Sequence, residues 1–140
     1  MVVIDTFGWT AEAIQQMQCI INRITEGRVH SGVPEITLFY KQHQKSPNAS
    51  HVKQEIMGAV ELDGVALHLE VLELEEVHGN DVFHNRCILT EHGGVITGHG
   101  IGVSGAQEHT DDATLMRSNI YQKKWQQFIE TPCFQVISRS

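Results

Sequence analysis

Basic residues are scarce in this 140-residue chain: ten Lys and Arg stand against seventeen Asp and Glu, for a formal charge of −7. Nucleic-acid binding runs on clustered cations that neutralise phosphates. No such cluster occurs, so no nucleic-acid partner is expected. Long apolar runs are missing too. Nothing approaches the roughly 18 residues of a membrane-spanning helix, and Met1-Val2-Val3-Ile4-Asp5 has neither the basic region nor the apolar run of a signal peptide. No membrane partner is expected either. Cysteine is limited to Cys19, Cys87 and Cys133, an odd count at wide spacing with no CxxC pair. That pattern reads as free, mostly buried thiols in a reducing, cytoplasmic setting. No repeat, linker or low-complexity tract interrupts residues 1–140, which read as a single domain.

Histidine and acid are what the chain does have. Protonating all nine histidines would move the formal charge from −7 to +2, so acid pH is expected to change the protein's behaviour. Between Gln54 and Asp81 lie eight acids and no Lys or Arg. Such a stretch reads as a solvated strand pair protected by its charge, or as a surface for a basic partner.

The periodicities predict an α+β fold. Val2-Val3-Ile4 is a short buried strand. Trp9 to Glu26 carries Trp9, Ala13, Ile14, Met17, Ile20, Ile21 and Ile24 on one helical face, with Thr6 or Thr10 as its cap and Gly27 as its stop. Glu35 to Lys41 alternates as a strand, and the polar run Gln42 to Lys53 reads as a long loop. Asp63-Gly64 between alternating runs predicts a type I′ hairpin from Ile56 to Val71, with a bulge near Val71–Leu72 where the alternation slips. Val82 to Glu91 and Val95 to Val103 form a second hairpin about His92-Gly93-Gly94. Thr110 to Glu130 is a second amphipathic helix, and Cys133 to Ile137 closes the chain as a strand.

The expected order is therefore β-α-β-β-β-β-β-α-β: a five-stranded antiparallel meander with both helices packed on the face that carries Gly98, Gly100 and Gly102. The alternative is a curved sheet that wraps the N-terminal helix around a cavity.

Two motifs fail on inspection. Gly100-Ile101-Gly102-Val103-Ser104-Gly105 fits G-x-G-x-x-G, but the acidic residue and second half of a dinucleotide fold do not follow. His68-Leu69-Glu70 is an H-x-E, yet Val136 occupies the position where a zinc deaminase needs its second cysteine. No motif calls for a cofactor.

One constellation survives. On the sheet face opposite the glycines, the second hairpin presents His84, Arg86, Ile88, His99 and Ile101. If both hairpins share a core face, His68 and Glu70 join them. A face half apolar and half histidine suits a homo-oligomer interface anchored by Arg86, a cleft for an anionic or hydroxylated small molecule, or a metal site using His68, Glu70, His84 and His99. The expected function is a non-enzymatic binding or interaction domain that self-associates through this face. The rival readings are a small enzyme with His99 as general base, and an acidic inhibitor or immunity-type protein.

Overall fold

A computed structural model describes residues 1–26, 32–77, 83, 86–97 and 113–140. The chain is α+β, and its core is a mixed sheet rather than an antiparallel meander. Among the described residues the strands are β1 (Val2–Ile4), β2 (Glu35–Lys41), β3 (His68–Glu76), β4 (Arg86–Thr90), β5 (Gly93–Thr97), β6 (Ala113–Leu115) and β7 (Phe134–Arg139), in the spatial order β6-β5-β4-β1-β2-β3-β7. The helices are α1 (Ala11–Thr25), α2 (Ala49–Met57) and α3 (Ser118–Trp125), the last running into a π-helical turn, Gln126–Glu130. Strands β1, β2 and β3 are parallel, and β4 returns antiparallel on the far side of β1.

Helix α1 forms where its periodicity predicts. Thr10 caps it by accepting the Ala13 N–H at 3.4 Å, and Ala13, Met17, Ile21 and Thr25, spaced by four, are buried. Burying Met17 and Ile21 contributes roughly 1.5–3 kcal/mol each. A polar residue at Ile21 would break the contact at its centre.

Helix α2 overturns the expected loop and hairpin. Asn48 accepts the His51 N–H at 3.0 Å as an N-cap, and Ala49, Val52 and Ile56 bury one face at spacings of three and four. The Asp63-Gly64 turn nevertheless forms. Both residues take positive φ, 42° and 81°, and the Val65 N–H reaches the Leu62 carbonyl at 2.6 Å. Local turn chemistry is satisfied, but α2 runs on to Met57 and residues 58–67 on either side of the turn form no strand. Val60, Leu62 and Leu67 pack against the core instead of pairing as strands. Released from that hairpin, β3 pairs in parallel with β2 from Glu35↔His68 to Lys41↔Leu74. Its run from Val71 to Leu74 is buried throughout, as suits a strand covered on both faces. The predicted bulge near Val71–Leu72 falls instead between Glu73 and Leu74, in the pairing with β7.

The second predicted hairpin is present over β4 and β5. Its register, Arg86↔Thr97 to Thr90↔Gly93, places Glu91-His92 in the turn rather than the glycines. The predicted second helix is shorter than Thr110 to Glu130. Its described part opens with strand β6 and becomes helical only at Ser118. Gly98, Gly100, Gly102 and the rest of the G-x-G-x-x-G stretch lie outside the described residues.

Helices cover both sheet faces, not one. Val3, Ile36, Leu38, Tyr40, Leu69 and Val71 meet Met17 and Ile21 of α1 and Val52 and Ile56 of α2. On the other face Ile4, Phe39, Leu72, Leu74, Cys87 and Leu89 meet Phe128, with Met116, Tyr121 and Trp125 beside it. The βαβαβ half thus sets α1 and α2 on one face, and α3 with its π turn covers the other, so the sheet is buried from both sides.

Candidate functional site

Because β1 to β3 are parallel, their carboxyl ends open on one edge of the sheet. The strand order also reverses at β1: the chain steps outward through β2 and β3, then returns to β1's other side as β4. Ligand crevices in sheets with a parallel core sit outside such carboxyl ends, where the strand order reverses.

Asp5 leaves β1 at this point. Its N–H still bonds the Phe39 carbonyl at 3.0 Å, and its side chain is only 5% exposed. Oδ1 accepts the Phe7 N–H at 2.9 Å and faces Arg86 Nε at 3.1 Å. Among the described residues Oδ2 accepts no hydrogen bond, and it is not among the sealed polar atoms. Burial raises the Asp5 carboxyl above its ordinary value of 3.8, and the Phe7 N–H and Arg86 oppose the rise. The Arg86 guanidinium lies 5.2 Å from the centre of the Phe7 ring, which is 43% exposed.

The loop that holds these groups is tight. A Cβ at Gly8 would lie 3.2 Å from both Leu38 Cδ1 and Tyr40 Cβ, so a bare residue is what lets the loop lie against β2. Thr6 Oγ1 donates to the Phe83 carbonyl at 2.8 Å, and the Phe83 N–H donates to Glu76 Oε1 at 3.2 Å. Glu76 Oε2 in turn pairs with Lys41 Nζ at 3.0 Å. The ends of β1, β2, β3 and the approach to β4 are thereby laced together by side chains. On the same edge Trp9 stacks on His43, with ring centres 5.8 Å apart and planes 21° apart. The Trp9 Nε1–H is buried and has no acceptor among the described residues.

A second polar cluster is structural. Glu73, 5% exposed, accepts from Ser46 Oγ at 2.9 Å and Ser138 Oγ at 2.7 Å, and the Ala49 N–H donates to Ser138 Oγ at 2.9 Å. The Tyr40 hydroxyl donates to the Pro47 carbonyl at 2.6 Å; burial and the nearby Glu73 hold its phenol far above the usual range. This network fixes the β2–α2 loop to β3 and β7.

Among the described residues, His68 and Glu70 do not join Arg86 and Ile88 on the candidate face. Arg86 and Ile88 share a face with Val3, Leu38 and Val71, whereas His68 and Glu70 lie on the opposite face of β3. They also lie at the opposite end: Arg86 is beside the carboxyl end of β1, and His68 begins β3. The expectation failed because it assumed that β3 lies in an antiparallel hairpin with the core face of β4. Ile88 is half-buried against the α1–α2 core and is not a surface residue. Glu70 is ion-paired with Arg139, and His68 is exposed. His84, His99 and Ile101 lie outside the described residues. Among the described residues no three His, Cys, Asp or Glu are gathered to hold a metal ion.

The acids expected on one charged hairpin are also dispersed. Glu73 is internal, while Glu70 and Glu76 each hold a cation. Cys87 is buried and Cys133 half-buried, as free thiols, but Cys19 is exposed. No described helix is long and apolar enough to cross a membrane.

Asp5 and Phe7 escaped the sequence reading, and Trp9 was read only as part of the apolar stripe of the first helix. Their signal was an apolar strand ending in an acid, followed by a glycine and a capped helix, which marks the edge of a parallel βα unit. Comparison with known proteins finds no matching family model, and neither the curated proteins nor the solved structures include a match to this chain.

Proposed function

We propose that this chain is a non-enzymatic binding domain whose small-molecule site is the crevice at the carboxyl edge of β1, centred on Asp5 and Arg86. One observation carries the reading: a carboxylate 95% removed from solvent keeps one oxygen without a hydrogen bond among the described residues, beside a cation, where the strand order reverses. That oxygen is not sealed from solvent, so a ligand donor can take the place of water on it. The site replaces the histidine face of the sequence reading and keeps Arg86 from it. The test is capture: the protein is incubated with a small-molecule extract, desalted and sprayed under native conditions. A discrete organic adduct that disappears in Asp5→Ala supports the reading. Adduct-free protein, or an adduct indifferent to Asp5→Ala, removes it.

A second reading concerns self-association. Val136 and Ile137 on edge strand β7 and Ile129 on the π turn are exposed at 46%, 39% and 36%. Exposed apolar side chains on an edge strand favour a homo-oligomer. Sedimentation as a monomer at micromolar concentration would exclude it. The three free thiols support a reducing, cytoplasmic location, which fractionation of tagged protein tests.

A further inference from the structure

Resting on the self-association reading above, we infer that the partner at the β7 edge is a second copy of this chain, set antiparallel about a two-fold axis normal to the sheet, so that one sheet runs through both copies. Strand β7 ends the sheet order and meets β3 on one side only. An edge strand turns a row of N–H and C=O groups outward, ready to pair with another chain. Edges that stay single are guarded by Lys, Pro, a cover or a bulge. Phe134–Arg139 holds no Lys or Pro. Its one guard is the bulge, where Ile137 is the extra residue without a partner on β3.

The bulge also builds the surface. Leu74 opposes Val136 and Leu72 opposes Arg139, and residues two apart on β3 lie on one face. Val136 and Arg139 therefore share that face although they stand three apart on β7. Phe128 of the π turn covers the same face, its ring centre 5.0 Å from that of Phe134. The turn leads into β7 through Ile129 and Glu130, both exposed. Along one face the edge thus runs from an anion, Glu130, past apolar Ile129 and Val136 to a cation, Arg139.

That order decides the occupant. A two-fold axis reverses the strand and keeps the face, so each end meets the opposite end of the copy. Arg139 then faces the copy's Glu130 at both ends, with the apolar residues meeting between them. A parallel copy would set like charges together. Glu70 holds the Arg139 guanidinium through Nε and Nη2, yet the side chain stays 68% exposed, and a guanidinium has donors left for a second carboxylate. Glu130 enters none of the ion pairs among the described residues.

The experiment is sedimentation velocity of the full-length protein at micromolar concentration and low salt, with Arg139→Glu, Glu130→Arg and their equimolar mixture. The parent should sediment as a dimer. Each variant alone sets like charges at both ends of the interface and should self-associate roughly tenfold more weakly. The mixture should recover the dimer, because each charge-reversed chain complements the other. Parent-like dimers of Glu130→Arg, or a mixture no tighter than its parts, overturn the antiparallel edge pairing while leaving self-association standing. A monomeric parent overturns both. If circular dichroism shows that Arg139→Glu, which sets an acid against Glu70, does not fold, Glu130→Arg alone decides: weakened association supports the pairing, and parent-like association overturns it.

Discussion

Replacing Arg86 by methionine removes the cation that faces the Asp5 carboxylate and keeps most of the side-chain volume. Asp5 is 5% exposed and Arg86 23%. Breaking a fully buried ion pair costs about 3–5 kcal/mol, because the remaining charge is stranded. Solvent reaches the arginine side here, so about 2–3 kcal/mol is expected, or a midpoint lowered by roughly 10 °C for a chain of this length. The pH dependence is more diagnostic than the size. Burial already raises Asp5 above 3.8 against the pull of Phe7 and Arg86, so the folded state binds this proton more tightly than the unfolded chain. Stability from this group is therefore full below the unfolded value and declines as pH rises through the folded one. Removing Arg86 moves the folded value further up and widens that window. Urea unfolding of Arg86→Met and the parent protein should differ little near about pH 4 and by the full amount at about pH 7. Asp5→Asn added to Arg86→Met should restore most of the loss at neutral pH. An equal loss at both pH values, or no rescue by Asp5→Asn, would refute the assignment of the pair.

Three further outcomes follow from local geometry. Trp9→Phe deletes the buried N–H that lacks an acceptor, so unfolding free energy should change by under about 1 kcal/mol, and a loss well above that would mean the N–H is satisfied in solution. Gly94→Ala puts a Cβ 2.7 Å from Leu89 Cδ2, 2.8 Å from Met116 Sδ and 3.2 Å from the Ile88 carbonyl; two of the three are flexible side-chain ends, so denaturant titration should show a loss of about 1–2 kcal/mol, and no loss would mean that Met116 does not lie over Gly94. Iodoacetamide on the native protein should modify exposed Cys19 first and Cys87 last, since burial pushes the Cys87 thiol up to about 11 with Lys124 only partly opposing it; peptide mapping that finds both modified alike would contradict the coverage of the second sheet face.

Those elements whose burial is periodic were legible in the sequence. Helix α1, strands β1 and β2, the β4–β5 pair and the closing strand β7 fall close to where the residues place them: one-sided burial writes a period of 3.6 into α1, and β1 is a short apolar run. What was misread turns on a single strong local signal. Asp63-Gly64 does make its tight turn, but a turn constrains four residues and not the strands beyond them. Reading it as a hairpin took Ile56 into a strand, and reading Gln42 to Lys53 as a polar loop concealed the Asn48 cap and the Ala49 and Val52 part of the α2 stripe. It also made β3 antiparallel to its neighbour. The apolar excess at Leu72 and Leu74, read as a bulge, was the mark of a strand buried on both faces. The site inherited that error. Arg86 was read as an anchor on the outer sheet face, beside His68 and Glu70, which the structure places on the other face of the sheet. Asp5 stood 81 residues away in sequence and one strand away in space.

The account's central claim, that ligand is taken at the carboxyl edge of β1, is tested most directly by the ¹³C carboxyl resonances of Asp5 and Glu70, followed while a small-molecule extract is titrated into the protein. These two carboxylates sit on opposite faces and at opposite ends of the sheet. The account predicts that the Asp5 signal shifts and saturates while Glu70 stays still. A shift of Glu70 with Asp5 unmoved would put recognition at the amino-terminal end of the strands and contradict it.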